Sequence, residues 1–205
     1  SKIESAEDLN SLHTLGFRGE ALPSIAAVSK LSVTSRLGES AVGWQVVIEN
    51  GTINEPVETG CPSGTIVRAE SLFYNTPARK KFLKSAATEL GHASDMIGRM
   101  ILSHPDIAFE LEHEEKNILK SPGNADLAQA IFAVYGGDIA RKMKKISYHG
   151  EEKIIGFVSS PELTRSTRHY YNFFVNGRFV RSPELAAILE EAFYTRIPEI
   201  GRAHV

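Results

Sequence analysis

The sequence lacks the features that mark several specialised classes of protein. It contains a single cysteine, Cys61, which excludes an internal disulfide framework and suits a reducing compartment. No apolar run approaches the roughly 20 residues that a membrane-spanning helix requires. Basic residues number 23 and acidic residues 25, so the formal charge of −2 gives no overall bias towards nucleic acid. We therefore expect a soluble, cytoplasmic globular protein without membrane contact.

The composition is that of an ordinary globular protein, and the length suits one large domain or two smaller ones. Of the 205 residues, 42% are hydrophobic and 23% are charged. Helix and strand patterns alternate along the chain, which indicates the α+β class. In the first half we predict helices over 5–13 and from Glu20, strands over 31–35, 42–48, 52–57 and 65–69, a helix over 84–103, and a hairpin from strands over 109–111 and 117–119.

A turn-rich stretch at residues 121–124 marks the predicted boundary between two domains, 1–122 and 123–205. The pattern restarts after this stretch with a helix that we expect Asn124 to cap. Further along we predict, in order, strands over 154–159 and 170–175, a hairpin turn at Asn176 and Gly177, a strand over 178–180, and a helix from Ser182.

The run over 16–22 places Arg18 between Gly16 and Gly19, immediately before the predicted start of a helix. Glycine permits positive φ and close backbone approach, so neighbouring N–H groups and the arginine could surround a phosphate. The alternative is a turn that simply leads into the helix, because a lone glycine pattern is a weak signal. The residues by themselves leave both interpretations open.

Two basic clusters contrast with the nearly neutral total charge. The first, over 68–84, holds five basic residues and one acid beside an aromatic stretch. The second, over 164–182, contains no acid, and its tyrosines and phenylalanines alternate with Arg165, Arg168, Arg178 and Arg181. Such clusters predict contacts with nucleic-acid phosphates, and the alternative is that they are solvated faces whose aromatics belong to the core. A third basic run, over 141–145, is interpreted as a helix end or a loop.

The sequence offers little other chemistry. Cys61 stands in a turn without a histidine pattern that would indicate a catalytic pair, and we interpret it as inert. The seven histidines are scattered without metal-ligand spacing, so no zinc site is predicted. Glu20 suits the dipole at a helix N-terminus better than the role of a general base. No catalytic residue is therefore predicted.

Several stretches together resemble the signature of the MutL family of DNA mismatch repair ATPases. The run over 16–22, followed by Ser24 and Ile25, carries the first part of this resemblance. Further matching stretches follow the family's order and spacing: Ser1-Lys2-Ile3, Gly64-Thr65, Leu72-Phe73-Tyr74-Asn75-Thr76-Pro77-Ala78-Arg79 and Phe174-Val175-Asn176-Gly177-Arg178. The resemblance covers essentially the whole chain.

The resemblance implies a partial Bergerat-type (GHKL) ATPase α/β sandwich, including its lid, over 1–122. A smaller, ribosomal-protein-like transducer domain that binds DNA would follow over 123–205. The nucleotide-binding positions that the resemblance implies are Ser1, Lys2, Gly16, Phe17, Arg18 and Gly19 around the lid, and Thr65 beside adenine. The implied DNA groove includes the hairpin of Arg178 and Arg181, and we add Arg165 and Arg168 from the same basic cluster.

Other family segments are missing from these 205 residues. They are the Glu-x-x-x-Asn segment of the general base and Mg²⁺ ligand, the Asp-x-Gly-x-Gly adenine segment, and the Asn-Val-His-Pro-Ala-Lys segment whose lysine reaches the γ-phosphate. We therefore expect an internal piece of the N-terminal region that does not hydrolyse ATP alone, that self-associates, and whose lid around 10–20 is disordered or packed differently.

By resemblance, the intact protein uses ATP and Mg²⁺, forms a homodimer, and works in the bacterial cytoplasm at the nucleoid. Its expected partners are DNA, a MutS-like mismatch-recognition protein and other repair factors. The alternative function is a nucleic-acid-binding or scaffold protein without nucleotide chemistry.

Overall fold

The computed structural model describes residues 19–163 and 167–194. Contacts divide the chain into two compact units, Ser1–Ser85 and Ala86–Val205. Both units combine helices with antiparallel strands, which confirms the predicted α+β class. The helix predicted over 5–13 lies outside the described residues. Among the helices that are described, none is both long enough and apolar enough to cross a membrane.

The first unit is built on an antiparallel sheet with the strand order β3-β2-β1-β5, in which β4 also pairs with β2. Helix α1 (Ala21–Ala26) precedes this sheet and the short helix α2 (Pro77–Lys80) follows it. The strands are β1 (Lys30–Arg36), β2 (Gly43–Glu49), β3 (Thr52–Ile53), β4 (Val57–Thr59) and β5 (Gly64–Glu70).

The single strand predicted over 52–57 is wrong, because the chain forms two short strands there. Ile53 of β3 pairs with Ile48 at one end of β2, whereas Val57 of β4 pairs with Gln45 further along. Pro56 lies between the two pieces and has no N–H to donate to a ladder. The other three strands predicted in this unit agree with β1, β2 and β5 to within one residue.

The second unit begins with the long helix α3 (Ala86–Ser103), which the sequence predicts from residue 84. The predicted hairpin follows as β6 (Glu110–His113) and β7 (Lys116–Lys120). The remaining elements are α4 (Leu127–Tyr135), α5 (Gly137–Ala140), β8 (Met143–His149), β9 (Lys153–Ser159), β10 (Phe173–Val175), β11 (Arg178–Val180) and α6 (Pro183–Phe193).

The core of the second unit joins α3 to α4. Its buried residues are Ile101 and Leu102 of α3 and Ala130 and Ile131 of α4. Side chains from the hairpins pack against this cluster, among them Phe109, Leu119, Met143, Phe157 and Phe174. The contacts divide the chain between residues 85 and 86, because α3 and α4 share one core. The boundary predicted between residues 122 and 123 falls in the loop between β7 and α4, within the second unit.

Three local predictions in this unit are wrong in whole or in part. The cap of α4 is Asp126, whose carboxylate accepts from the Ala128 N–H at 2.8 Å, while Asn124 accepts from the Asp126 N–H at 3.2 Å in the preceding turn. The basic run over 141–145 begins as predicted at a helix end, since Arg141 caps α5, but from Met143 it continues as β8, which pairs with β9. The strand predicted from residue 170 begins at Phe173, after a short 3₁₀ turn.

Candidate nucleotide and nucleic-acid surfaces

Of the seven predicted nucleotide-binding residues, the structure describes Gly19 and Thr65; the other five, Ser1, Lys2, Gly16, Phe17 and Arg18, lie outside the described residues. Gly19 is exposed and has φ of +69°, a conformation that favours glycine. A side chain built there would meet none of the residues that the structure describes within 4 Å.

Thr65 lies near the start of β5, directly across from Ser35 of β1. The two hydroxyl oxygens are 2.9 Å apart, and Ser35 also donates to the Gly64 carbonyl at 3.2 Å. Strand alternation places Thr65 on the same face of the sheet as Leu31, which is buried. The Thr65 side chain is exposed and presents a hydroxyl pair at the end of that face.

The aromatic stretch of the first basic cluster is tied to the junction between α1 and β1. The Phe73 N–H donates to the Val28 carbonyl at 2.6 Å, and the Asn75 side-chain amide donates to the Ala27 carbonyl at 2.9 Å. The Tyr74 hydroxyl donates to the Asn50 side chain at 2.6 Å. These hydrogen bonds fix the backbone of the stretch, whose Phe73 and Tyr74 are half-buried, while the basic residues beside it are exposed. The two interpretations of this cluster stay open.

The second basic cluster contains a short two-stranded ribbon formed by β10 and β11. Asn176 and Gly177 connect the strands with φ of 50° and 75°, as a type I′ hairpin turn requires. Phe174 faces Phe179 across the ribbon with ring centroids 6.0 Å apart, and Phe174 packs against the core. Strand alternation places Arg178 on the opposite face, together with Phe173, Val175 and Val180. This face, which carries the arginine of the ribbon, is called its basic side below.

The four predicted DNA-binding arginines have different surroundings. Arg165 lies outside the described residues. Arg168 donates two hydrogen bonds of 2.7 Å to the carboxylate of Glu190, which raises the pKa of the guanidinium further. Arg178 is half-buried on β11, whereas Arg181 is exposed and has no hydrogen bond or ion pair with any residue the structure describes.

Sequence reasoning missed the acidic and basic partners that other elements bring to this cluster. Glu190 of α6 neutralises Arg168, and Asp95 of α3 lies 3.1 Å from the imidazole of His169. Arg99 of α3 stacks over the ring of Phe179 at 4.4 Å. Since α3 precedes the cluster by some 70 residues, no local spacing in the sequence connects them.

Cys61 and Glu20 are the other two residues that the sequence analysis considered for chemistry. The Cys61 side chain fills the space beside Gly43, where it would contact any added side chain, and the Cys61 carbonyl accepts from Arg36 at 2.7 Å. Glu20 stands at the start of α1 and makes no capping hydrogen bond with its side chain. Within 19–163 and 167–194, no three His, Cys, Asp or Glu side chains meet in a way that could hold a metal ion.

The fold is similar to that of the ATPase domain of MutL proteins. The solved structure of the Aquifex aeolicus MutL ATPase domain complexed with ADP matches with a TM-score of 0.72 and 28% identity. The match covers 92% of this chain and 71% of that one. The two units thus define an ATPase-domain fold of the MutL type.

Curated relatives identify the family. DNA mismatch repair protein MutL of Desulforamulus reducens is 49% identical over 199 residues, covering 97% of this chain and 31% of its own length. MutL of Desulforudis audaxviator is 45% identical, covering 97% of this chain and 35% of its own. Residues 131–203 match the family model described as DNA mismatch repair protein, C-terminal domain. The chain belongs to the MutL family of DNA mismatch repair proteins, and it spans about a third of the length of these relatives.

Proposed function

We propose that the chain is part of a MutL-like DNA mismatch repair ATPase in which ATP binding orders a lid and brings two N-terminal regions together on DNA. The observation that carries this proposal is the likeness to a MutL ATPase domain complexed with ADP. The 49% identity to a DNA mismatch repair protein over nearly the whole chain supports the same assignment.

The nucleotide would be held by the lid residues Gly16, Phe17, Arg18 and Gly19, by Ser1 and Lys2, and by Thr65 near the base. The exposed backbone of Gly19 and the exposed hydroxyl of Thr65 fit this role. When bound, ATP supplies a triphosphate whose charge converging N–H groups and an arginine can stabilise. We assign Mg²⁺ to the longer protein, because its implied ligand lies in a segment missing from this sequence.

Hydrolysis should need more than these 205 residues. Phosphoryl transfer depends on several positioned groups acting together, and the implied general base and phosphate-sensing lysine are missing from the sequence. We expect no phosphate release from ATP by this chain, with the Aquifex aeolicus MutL ATPase domain as the positive control. Turnover by the chain above a blank would contradict the proposal.

DNA would contact Arg178 on the basic side of the ribbon and the exposed Arg181, which directly follows β11, with Arg165 and Arg168 of the same basic cluster as further proposed contacts. Arg181 is the strongest candidate, because it is exposed and has no partner among the described residues. Arg168 already shares its charge with Glu190, so we expect it to contribute less to phosphate binding. A MutS-like protein, other repair factors and a second copy of the protein remain proposed partners at the bacterial nucleoid.

The test is the salt dependence of duplex DNA affinity. The Arg181→Ala variant should weaken binding by about three- to tenfold near 0.1 M salt and lower the slope of log K against log salt by about 0.9. Arg141→Ala is the matched control, because Arg141 is an exposed arginine of the same unit that pairs with Asp138. An Arg181→Ala variant with unchanged affinity and slope would refute the ribbon assignment. Intact DNA binding without nucleotide binding would favour the scaffold alternative.

A further inference from the structure

We propose that Arg99 of α3 is a positioning residue for the β10–β11 ribbon. In this proposal Arg99 holds Phe179 on one side of the ribbon and so keeps the basic side, with Arg178, in place for DNA. The inference rests on the proposed DNA binding by the ribbon. It adds a residue that lies far from the basic cluster in the sequence and that acts on DNA through another side chain.

The contact itself is a cation stacked on an aromatic ring. The guanidinium carbon of Arg99 lies 4.4 Å from the centroid of the Phe179 ring, well inside the roughly 6 Å over which such pairs attract. Both residues are half-buried, so solvent screens the pair less than it would screen an exposed one. Arg99 has no hydrogen bond or ion pair with any described residue, and its charge also acts on the buried Tyr135, whose pKa it lowers against the larger effect of burial.

The ribbon is held at two further points on the same side. Phe174 contacts Phe179 at 6.0 Å between ring centroids and packs against the core that contains Ile101. At the turn, a side chain added to Gly177 would lie 3.3 Å from the imidazole of His104, which follows the last residue of α3. The middle pair of the ribbon therefore packs on α3 and its core, and the turn lies beside the residue that follows α3.

Anchoring one side of a two-stranded ribbon orients the other side. Phe174 and Phe179 point towards α3, and the pair Val175 and Arg178 points the opposite way. An isolated two-stranded ribbon is marginally stable in water, so a ribbon of three residues per strand needs such support. If this support weakens, the ribbon is ordered in a smaller fraction of the molecules. The apparent association constant for DNA then falls in proportion to that fraction.

This mechanism predicts a different salt dependence from a direct phosphate contact. A lysine or arginine that touches a phosphate releases a counterion, and its removal lowers the salt slope by about 0.9. The fraction of molecules with an ordered ribbon does not depend on released counterions. Loss of the Arg99 contact should therefore weaken binding by the same factor at every salt concentration and leave the slope unchanged.

The experiment measures duplex DNA affinity of the full chain at several salt concentrations for Arg99→Met, Phe179→Leu and the double variant. Arg99→Met removes the cation–ring contact alone and should bind about two- to fivefold more weakly with an unchanged slope. Phe179→Leu removes this contact together with the ring contact to Phe174 and should bind at least as weakly, also with an unchanged slope. The double variant should be no weaker than the weaker single one, because the contact can be lost only once. Arg99→Lys, which retains a cation near the ring, should recover part of the affinity.

The matched controls are Arg141→Met and Phe132→Leu, two exposed positions of the same unit, which should bind like the parent chain. Stoichiometric titration gives the active fraction of each variant and separates local from global loss of structure. The inference is overturned by a Phe179→Leu variant with parental affinity, by additive losses in the double variant, or by a lower slope in Arg99→Met.

The Arg181→Ala variant separates this inference from the proposed DNA binding by the ribbon. If Arg181→Ala weakens binding and lowers the slope while the Arg99 and Phe179 variants do not, only this inference fails. If Arg181→Ala also has no effect, the ribbon assignment fails with it.

Discussion

Replacing Ile101 by alanine should destabilise α3 and α4 together. Ile101 has an exposed fraction of 0% and lies in the cluster that joins the two helices. The change removes three carbon atoms, worth about 0.8 kcal/mol each in transfer free energy, and leaves a cavity that raises the cost further. We expect the free energy of unfolding of the second unit to fall by about 3 kcal/mol.

The assay combines urea denaturation with amide hydrogen exchange, because exchange reports which elements open together. In Ile101→Ala, the slowest amides of α3 and α4 should exchange about a hundredfold faster, while amides of β1 in the first unit keep their rates. The matched control is Ile188→Ala, whose side chain is 63% exposed on α6, and whose effect should stay within about 0.5 kcal/mol.

The result also bears on the predicted domain boundary at residues 122 and 123. If domains 1–122 and 123–205 unfold independently, the variant will speed exchange in α3 and leave α4 protected. That outcome would refute the reasoning from the shared core, since the two helices would then not stabilise each other.

Three further predictions concern single residues of the second unit. Asp126→Ala removes the cap of α4 and should cost about 1 kcal/mol of unfolding free energy in urea; a smaller loss than in Asn124→Ala would contradict the cap assignment. Gly177→Ala should cost about 1 kcal/mol, because alanine is strained at φ of 75°, and a neutral effect would argue against the turn. Burial raises the pKa of Tyr135 in the folded chain, so stability should fall as pH rises above the unfolded value of about 10. Absorbance titration should show the late ionisation of one tyrosine disappear in Tyr135→Phe, while that of Tyr171, whose pKa burial also raises, stays.

Local signals predicted much of the fold because those elements are set by nearby residues. The Asn176-Gly177 turn dictates its own hairpin, and alternation along β1 and β5 follows from one buried face. The wrong predictions fell on segments whose secondary structure depends on the strand that pairs with them. The basic run over 141–145 leads into a strand because β9 pairs with it, and residues 52–57 divide because β2 offers two separate partners.

The candidate DNA surface shows more clearly that local sequence patterns do not reveal contacts with distant elements. Its arginines are visible in the sequence, but the charge that each can offer to DNA depends on distant side chains. Glu190 neutralises Arg168 although the cluster itself contains no acid, and Arg99 reaches Phe179 from a helix far upstream. Counting charges along the chain therefore overestimates the local positive potential, and only the pairing of elements corrects it.

The residues that carry the family resemblance do two different kinds of physical work. In the stretch over 72–79, Phe73 and Asn75 donate hydrogen bonds to the carbonyls that end α1, so this part fixes backbone geometry. Gly19 and Thr65, by contrast, expose a backbone and a hydroxyl to solvent. An Asn75→Ala variant should therefore lower the free energy of unfolding and leave the nucleotide affinity of the folded molecules unchanged. Thr65→Val should instead lower the nucleotide affinity and leave the free energy of unfolding unchanged. Equal losses of stability and affinity in both variants would show that the two roles are not separate.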